Sequence, residues 1–175
     1  DFLATYLRDL DYGRVYFTQN DVDRFEKEYG DELSQMLLER NSMKAAIDIY
    51  ETFVQRVEAR VAEAERILKE GELEFETDET LMRTRKEAPW PRDEAEAMEI
   101  WRKQIKEALL SETLRREMVI KLAKEQGKEE LFADERSPTE KIMLRYERFL
   151  RSVEDADRDD IATYFLSAVA KTFDP

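Results

Sequence analysis

A run of apolar residues at helical spacing in the first half of the chain restricts the fold more than any other feature. Met43, Ile47, Tyr50, Val54, Val57, Val61, Ala64 and Leu68 follow one another in steps of four and three. Eight consecutive apolar positions of that kind define one seam along a helix. Ser42 stands where an N-cap is needed and Gly71 where a helix stops, so the spacing predicts a helix over about 43–70. Its 28 residues at 1.5 Å each give about 42 Å. A globule of this chain length has a radius of gyration of about 16 Å and a diameter near 40 Å. One helix therefore crosses the whole domain as its spine. A stripe of this kind can also dock a partner helix, but core is its commoner use.

The rest of the chain reads as helices arranged on that spine. Phe2, Leu3, Tyr6, Leu7 and Leu10 share a helical face that ends at Tyr12-Gly13. Thr18 reads as an N-cap with Asp21 in the first turn, and Val22, Phe25 and Tyr29 carry that helix to Gly30. Asp31 is expected to cap a short helix that turns Leu33, Met36 and Leu37 inward. Between Glu72 and Pro91 the helical period disappears. A short edge strand near 73–76 fits the alternation of Leu73 and Phe75 with Glu, and a helical turn over Thr80 to Arg85 fits equally well. Ala88-Pro89-Trp90-Pro91 must be extended, because a residue before proline is pushed out of the helical region.

Asp93 with Glu96 opens the next helix, whose buried stripe is Met98, Trp101, Ile105 and Ala108/Leu109. Ser111 marks a bend or a new start before Leu114, Met118 and Leu122, and Gly127 ends that run. Ser137-Pro138-Thr139-Glu140 is the strongest helix start in the chain, and Ile142, Tyr146, Phe149 and Val153 follow on one face. Asp157 opens the last helix, with Ile161, Phe165, Ala168 and Val169 inward. The expected fold class is all-α, an irregular bundle around one long helix. A subdomain division near 72–92 and a belt across one domain are both open readings of the Pro-rich stretch.

Charge and composition exclude several functions. The 29 basic and 42 acidic residues leave a net charge of −13, which repels nucleic acid and anionic membranes. No apolar run approaches the 18 residues of a membrane span. With 0 His and 0 Cys there is no imidazole base, no thiolate nucleophile and no zinc ligand of the usual kind. No cofactor is expected. Asp155, Asp157, Asp159 and Asp160 resemble calcium ligands but lack the Gly-centred loop and closing Glu of an EF-hand, and capping accounts for some of them. Ser167 and Lys171, four apart on a helix, have the spacing of a Ser–Lys dyad without an oxyanion-binding turn nearby, so no catalytic residue is assigned. The candidate anchors are Trp90 and Trp101. A Trp held between two prolines is either packed as a staple, the favoured reading, or displayed for a partner.

Several phrases resemble one family from end to end and in order. Tyr6-Leu7-Arg8-Asp9-Leu10-Asp11-Tyr12 with Gln19-Asn20-Asp21-Val22-Asp23-Arg24-Phe25 resembles the opening of the tail-specific, or C-terminal processing, serine proteases. Lys86-Glu87-Ala88-Pro89-Trp90-Pro91, then Glu94-Ala95-Glu96 and Trp101, is similar to a second segment of theirs. Ala168 to Pro175 looks like the approach to their Asp-Pro-His-Thr motif. The segments Gly71 to Arg85 and Ser111 to Arg136 carry no diagnostic phrase.

The resemblance implies that residues 1–175 form the N-terminal helical domain of a longer, periplasmic endopeptidase. A PDZ domain and a Ser/Lys catalytic dyad would lie beyond Pro175. Opening in a helix pattern at Asp1-Phe2 and ending at Asp174-Pro175 fits a piece of such a chain. The implied partners are the protease and PDZ domains of the same chain, a helical-repeat lipoprotein adaptor, and protein substrates reached through the parent. The alternative is a free-standing helical interaction module with no protease attached.

Overall fold

The structure, a computed structural model, describes residues 2–30, 42–71, 73–128 and 135–173. Among them are six helices: α1 (Phe2–Leu10), α2 (Gln19–Tyr29), α3 (Ser42–Glu70), α4 (Glu94–Glu125), α5 (Pro138–Glu154) and α6 (Arg158–Phe173). The fold class is all-α, with no strand among the described residues. The helix expected after Asp31 lies outside them.

The starts follow from side-chain caps. Thr18 and Asp21 form a reciprocal capping box at α2, and Ser137 and Glu140 form another at α5 with Pro138 in its first turn. Asp93 caps α4 by accepting from the Glu96 amide at 2.9 Å. Asp157 accepts from the amides of Asp159 and Asp160 at 2.8 and 2.9 Å, so the acidic run that resembles a calcium loop is spent opening α6. Gly71 and Gly127 end α3 and α4 with φ of 67° and 65°, a region that penalises any side chain.

Helix α3 is the spine: α4, α5 and α6 all pack on it, α4 also packs on α5, and α1 packs on α6. Its inward face keeps Tyr50, Val57, Val61, Ala64 and Leu68 of the expected seam buried, while Met43, Ile47 and Val54 are only half-buried. Ala45, Ala46, Ile49, Phe53, Arg60 and Ile67 are buried beside them, so the covered face is wider than the one seam.

The core falls into two clusters. One joins α1, Phe17, α2 and α6 to the first two-thirds of α3; the other joins Val15, the end of α3, Trp101, Ile105 and Ile142. Tyr16 packs against both. Its ring meets Phe53 at 5.5 Å, Trp101 at 5.7 Å and Phe149 at 5.7 Å. Buried tyrosine hydroxyls add long-range bonds, Tyr6 to the Ala46 carbonyl at 3.3 Å and Tyr50 to the Val153 carbonyl at 2.9 Å.

Two expectations need correction. Residues 73–75 form no strand, and 80–85 form no helical turn; the segment is an extended strap with a bend at 76–77. Glu79 pins the strap to α4 by pairing with Arg102 and Lys106. Ser111 neither bends nor restarts a helix: its hydroxyl donates to Glu107 at 2.9 Å and α4 runs through it for 32 residues. A back-reaching Ser side chain is compatible with helix, so the break signal was overridden.

Replacing Ser137 with Ala removes one half of the α5 capping box. A loss of about 1 kcal/mol is expected, read as a shifted urea midpoint with an unchanged slope.

A closed ion network beneath the Pro-Trp-Pro segment

The most concentrated chemistry of the domain lies where the loop after α1, the middle of α3 and the start of α4 meet. Asp11 follows the last turn of α1 and is 1% exposed. Its carboxylate accepts from the amides of Val15, Tyr16 and Phe17 at 3.0, 2.9 and 3.0 Å. That turn forces Arg14 to φ 49°, the one positive value at a non-glycine among the described residues. Burial pushes the Asp11 carboxyl above its ordinary value, against the pull of the three amides and of Arg60.

The same loop turns the carbonyls of Val15 and Tyr16 toward α3. Arg60, fully buried, donates from Nε to Val15 at 3.1 Å and from Nη2 to Tyr16 at 3.4 Å. Its Nη1 and Nη2 pair with Glu94, the first residue of α4. Glu94 also receives Arg56 Nη1 at 3.2 Å. The other nitrogens of Arg56 form a two-pronged contact with Asp21 at 3.0 and 2.8 Å. Asp21 is the α2 capping residue, bonded to the Thr18 amide at 2.9 Å. Burial alone would raise the Asp21 carboxyl; the Arg56 and Thr18 bonds outweigh it and hold it below its ordinary value.

The two tryptophans are placed differently. Trp101 is 3% exposed, and its Nε1 donates to the Arg60 carbonyl at 2.7 Å. Trp90 is half-buried, with Phe17 at 6.1 Å and the Arg14 guanidinium 5.1 Å over its ring. The extended segment is tied on both sides of it: Arg14 Nη1 donates to the Ala88 carbonyl, and the Gln19 amide donates to the Pro91 carbonyl at 2.7 Å. Trp90 thus packs on Phe17 with one side while also walling a cleft of about 340 Å³ between α1 and α2.

Sequence reasoning found the tryptophans but missed Asp11, Arg56, Arg60 and Glu94 as a unit. The available signal was Arg60 itself, which falls three residues after Val57 and four before Ala64, on the buried face.

Ser167 and Lys171 both line a groove between α1, α3, α5 and α6, and Lys171 Nζ pairs with Asp9 at 2.7 Å. Among the described residues no group of three or more Asp or Glu is arranged to hold a metal, and no helix is long and apolar enough to cross a membrane. Chemically, the network is a fixed clamp: its charges are engaged with one another and with backbone groups, and they join four segments of chain.

The fold and the clamp define an all-α helical domain. The family model described as the tail specific protease N-terminal domain matches residues 1–175, and the chain belongs to that family. Among known proteins it is similar to the tail-specific protease of Haemophilus influenzae strain Rd, 27% identical over 170 residues. That match covers 97% of this chain and 22% of the relative, so the chain spans about a fifth of the relative's length.

Two outcomes follow from the network. Arg60→Ala leaves the Val15 and Tyr16 carbonyls without its donors and Glu94 with Arg56 alone, and is expected to cost about 1–3 kcal/mol by urea unfolding. Asp21 has a depressed folded pKa, so its contribution is complete above its unfolded value near 4 and is lost as pH falls through the folded value. Asp21→Asn should therefore destabilise clearly at pH 6, with the gap to the wild type narrowing by pH 3. A gap independent of pH would mean that Arg56 does not hold the carboxylate ionised.

Proposed function

We propose that the domain is the non-catalytic N-terminal scaffold of a tail-specific serine endopeptidase, one that degrades or trims periplasmic proteins from their C-termini. The observation that carries this reading is the use made of the family-like phrases. Asp11, Asp21, Pro91, Glu94 and Trp101 belong to them, and each is engaged in the mutual bonds that hold α1, α2, α3 and α4 together. Residues spent in this way define a rigid shape rather than a reaction.

In this reading the Ser/Lys dyad and the substrate-reading PDZ domain belong to the polypeptide that follows. The helical domain supports that body and offers outer surface to an adaptor such as a helical-repeat lipoprotein. Lys171 is held by Asp9 and is not spare to act as a base for Ser167. Proteolysis by the full-length protein tests the assignment. An unfolded substrate such as casein should be degraded at the same rate by the wild type and by Ser167→Ala. Loss of activity in that variant, or a coding sequence with no downstream Ser and Lys, would overturn the reading.

A further inference from the structure

Arg14 is engaged on one side only. Its Nη1 donates to the Ala88 carbonyl, and its guanidinium lies 5.1 Å over the Trp90 ring. Its Nε is buried with no acceptor, and Nη2 has none among the described residues. Arg85 Nε is the other buried side-chain nitrogen in that state, and it belongs to the strap, outside the cleft that Arg14 lines. A buried N–H without an acceptor costs free energy, so an unmatched Nε beside an unmatched Nη2 calls for a reason. These two nitrogens form the side of the fork on which a carboxylate is held by two parallel bonds. Arg56 uses that same side to hold both oxygens of Asp21.

We propose that the cleft of about 340 Å³ between α1 and α2 binds a small monocarboxylate with an apolar body, its carboxylate held by Arg14 and Arg8. Arg8 is exposed on α1 and has no hydrogen bond or ion pair among the described residues. The Trp90 ring, Leu7 and Val22 line the same cleft and meet the apolar body. An apolar wall with a few charged groups, in a space of this volume, is the usual make-up of a small-molecule site. Charge selects among anions. Glu26, exposed at the cleft, opposes the two guanidiniums and leaves one net positive charge for one negative charge on the ligand. A phosphate dianion would set its second charge against Glu26. Repulsion from the chain's net charge of −13 is screened beyond about 8 Å at physiological salt, so the groups at the cleft decide. Neither Arg8, Arg14 nor Glu26 bonds to Arg56, Arg60 or Glu94, so the site is separate from the clamp. The inference stands whether or not a protease follows the domain.

The experiment uses the full-length protein labelled with fluorotryptophan, the Trp90 fluorine resonance being the one lost in Trp90→Phe. Titration with phenylpropionate should move that resonance to saturation, with a dissociation constant of about 1 mM or tighter. Two charge changes should act in opposite directions: Arg8→Gln should weaken binding about tenfold, and Glu26→Gln should tighten it about threefold. Damage to the fold would weaken binding in both. The uncharged phenylpropanamide should leave the Trp90 resonance where it is. A resonance that stays fixed at saturating phenylpropionate overturns the proposal, as does an equal shift with the amide. Affinity that neither charge change alters also overturns it. So does an equal shift with inorganic phosphate, which would make the cleft a site for any small anion.

Discussion

A guanidinium with no exposure to water, placed well inside α3, has to be matched, and Arg60 is matched by the loop after α1 and by α4 at once. Its planar fork suits this task because it offers five donors in fixed directions and stays charged. Two carbonyls of the loop after α1 take part of it, and the first carboxylate of α4 takes the rest. Burying a lone cation would cost several kcal/mol, so each of these segments is held at the one position that completes the set. The loop can supply its carbonyls only because Asp11 has already folded it, and α4 can supply Glu94 only because Asp93 has opened it. Packing of Tyr16 against both core clusters is a consequence, since its carbonyl and ring are placed by the same turn.

Sequence patterns revealed whatever is decided by neighbouring residues. Ser137-Pro138-Thr139-Glu140 opens α5 because cap, proline and glutamate lie within one turn, and Thr18 with Asp21 opens α2 for the same reason. What escaped was decided by residues far apart in the chain. Nothing within ten residues of Arg60 indicates that its partners are Val15, Tyr16 and Glu94. Five of the eight seam residues of α3 are buried, but the covered face also takes in Phe53 and Arg60, which the apolar seam does not include, and leaves Val54 half-buried. Ser111 was read as a break, although a serine that bonds back to Glu107 leaves the helix intact.

The strap between α3 and α4 shows how a segment without periodicity is still placed. Glu79 ties it to α4 through Arg102 and Lys106, with Thr77 accepting from the same Lys106 at 2.8 Å, and the Glu79 bonds hold its carboxyl at about 2, well below the usual range. At the other end, Ala88 and Pro91 are fixed by Arg14 and by the Gln19 amide. Proline supplies the intervening stiffness: Pro89 and Pro91 fix φ at two of four consecutive positions, so little chain entropy is lost when the segment is pinned. Trp90 then needs only Phe17 beneath it and Arg14 over it to be held half-buried.

This arrangement explains why phrases so far apart in the chain carry one family likeness. The opening phrase contributes Asp11 and Asp21, and the Pro-Trp-Pro phrase contributes Pro91, Glu94 and Trp101. In space Asp21, Glu94 and Trp101 meet Arg56 and Arg60, from a part of α3 that bears no diagnostic phrase of its own. A motif that recognised a ligand would leave donors or acceptors turned toward a cavity. Here Asp11, Glu94 and the guanidinium of Arg60 are engaged within the domain, and the tryptophan nearest to them spends its N–H on a backbone carbonyl. Under the proposed function, the likeness is a signature of how the helices are clamped together. Surfaces left for contact must be sought away from it, where apolar side chains such as Leu114 and Met118 are exposed among the described residues.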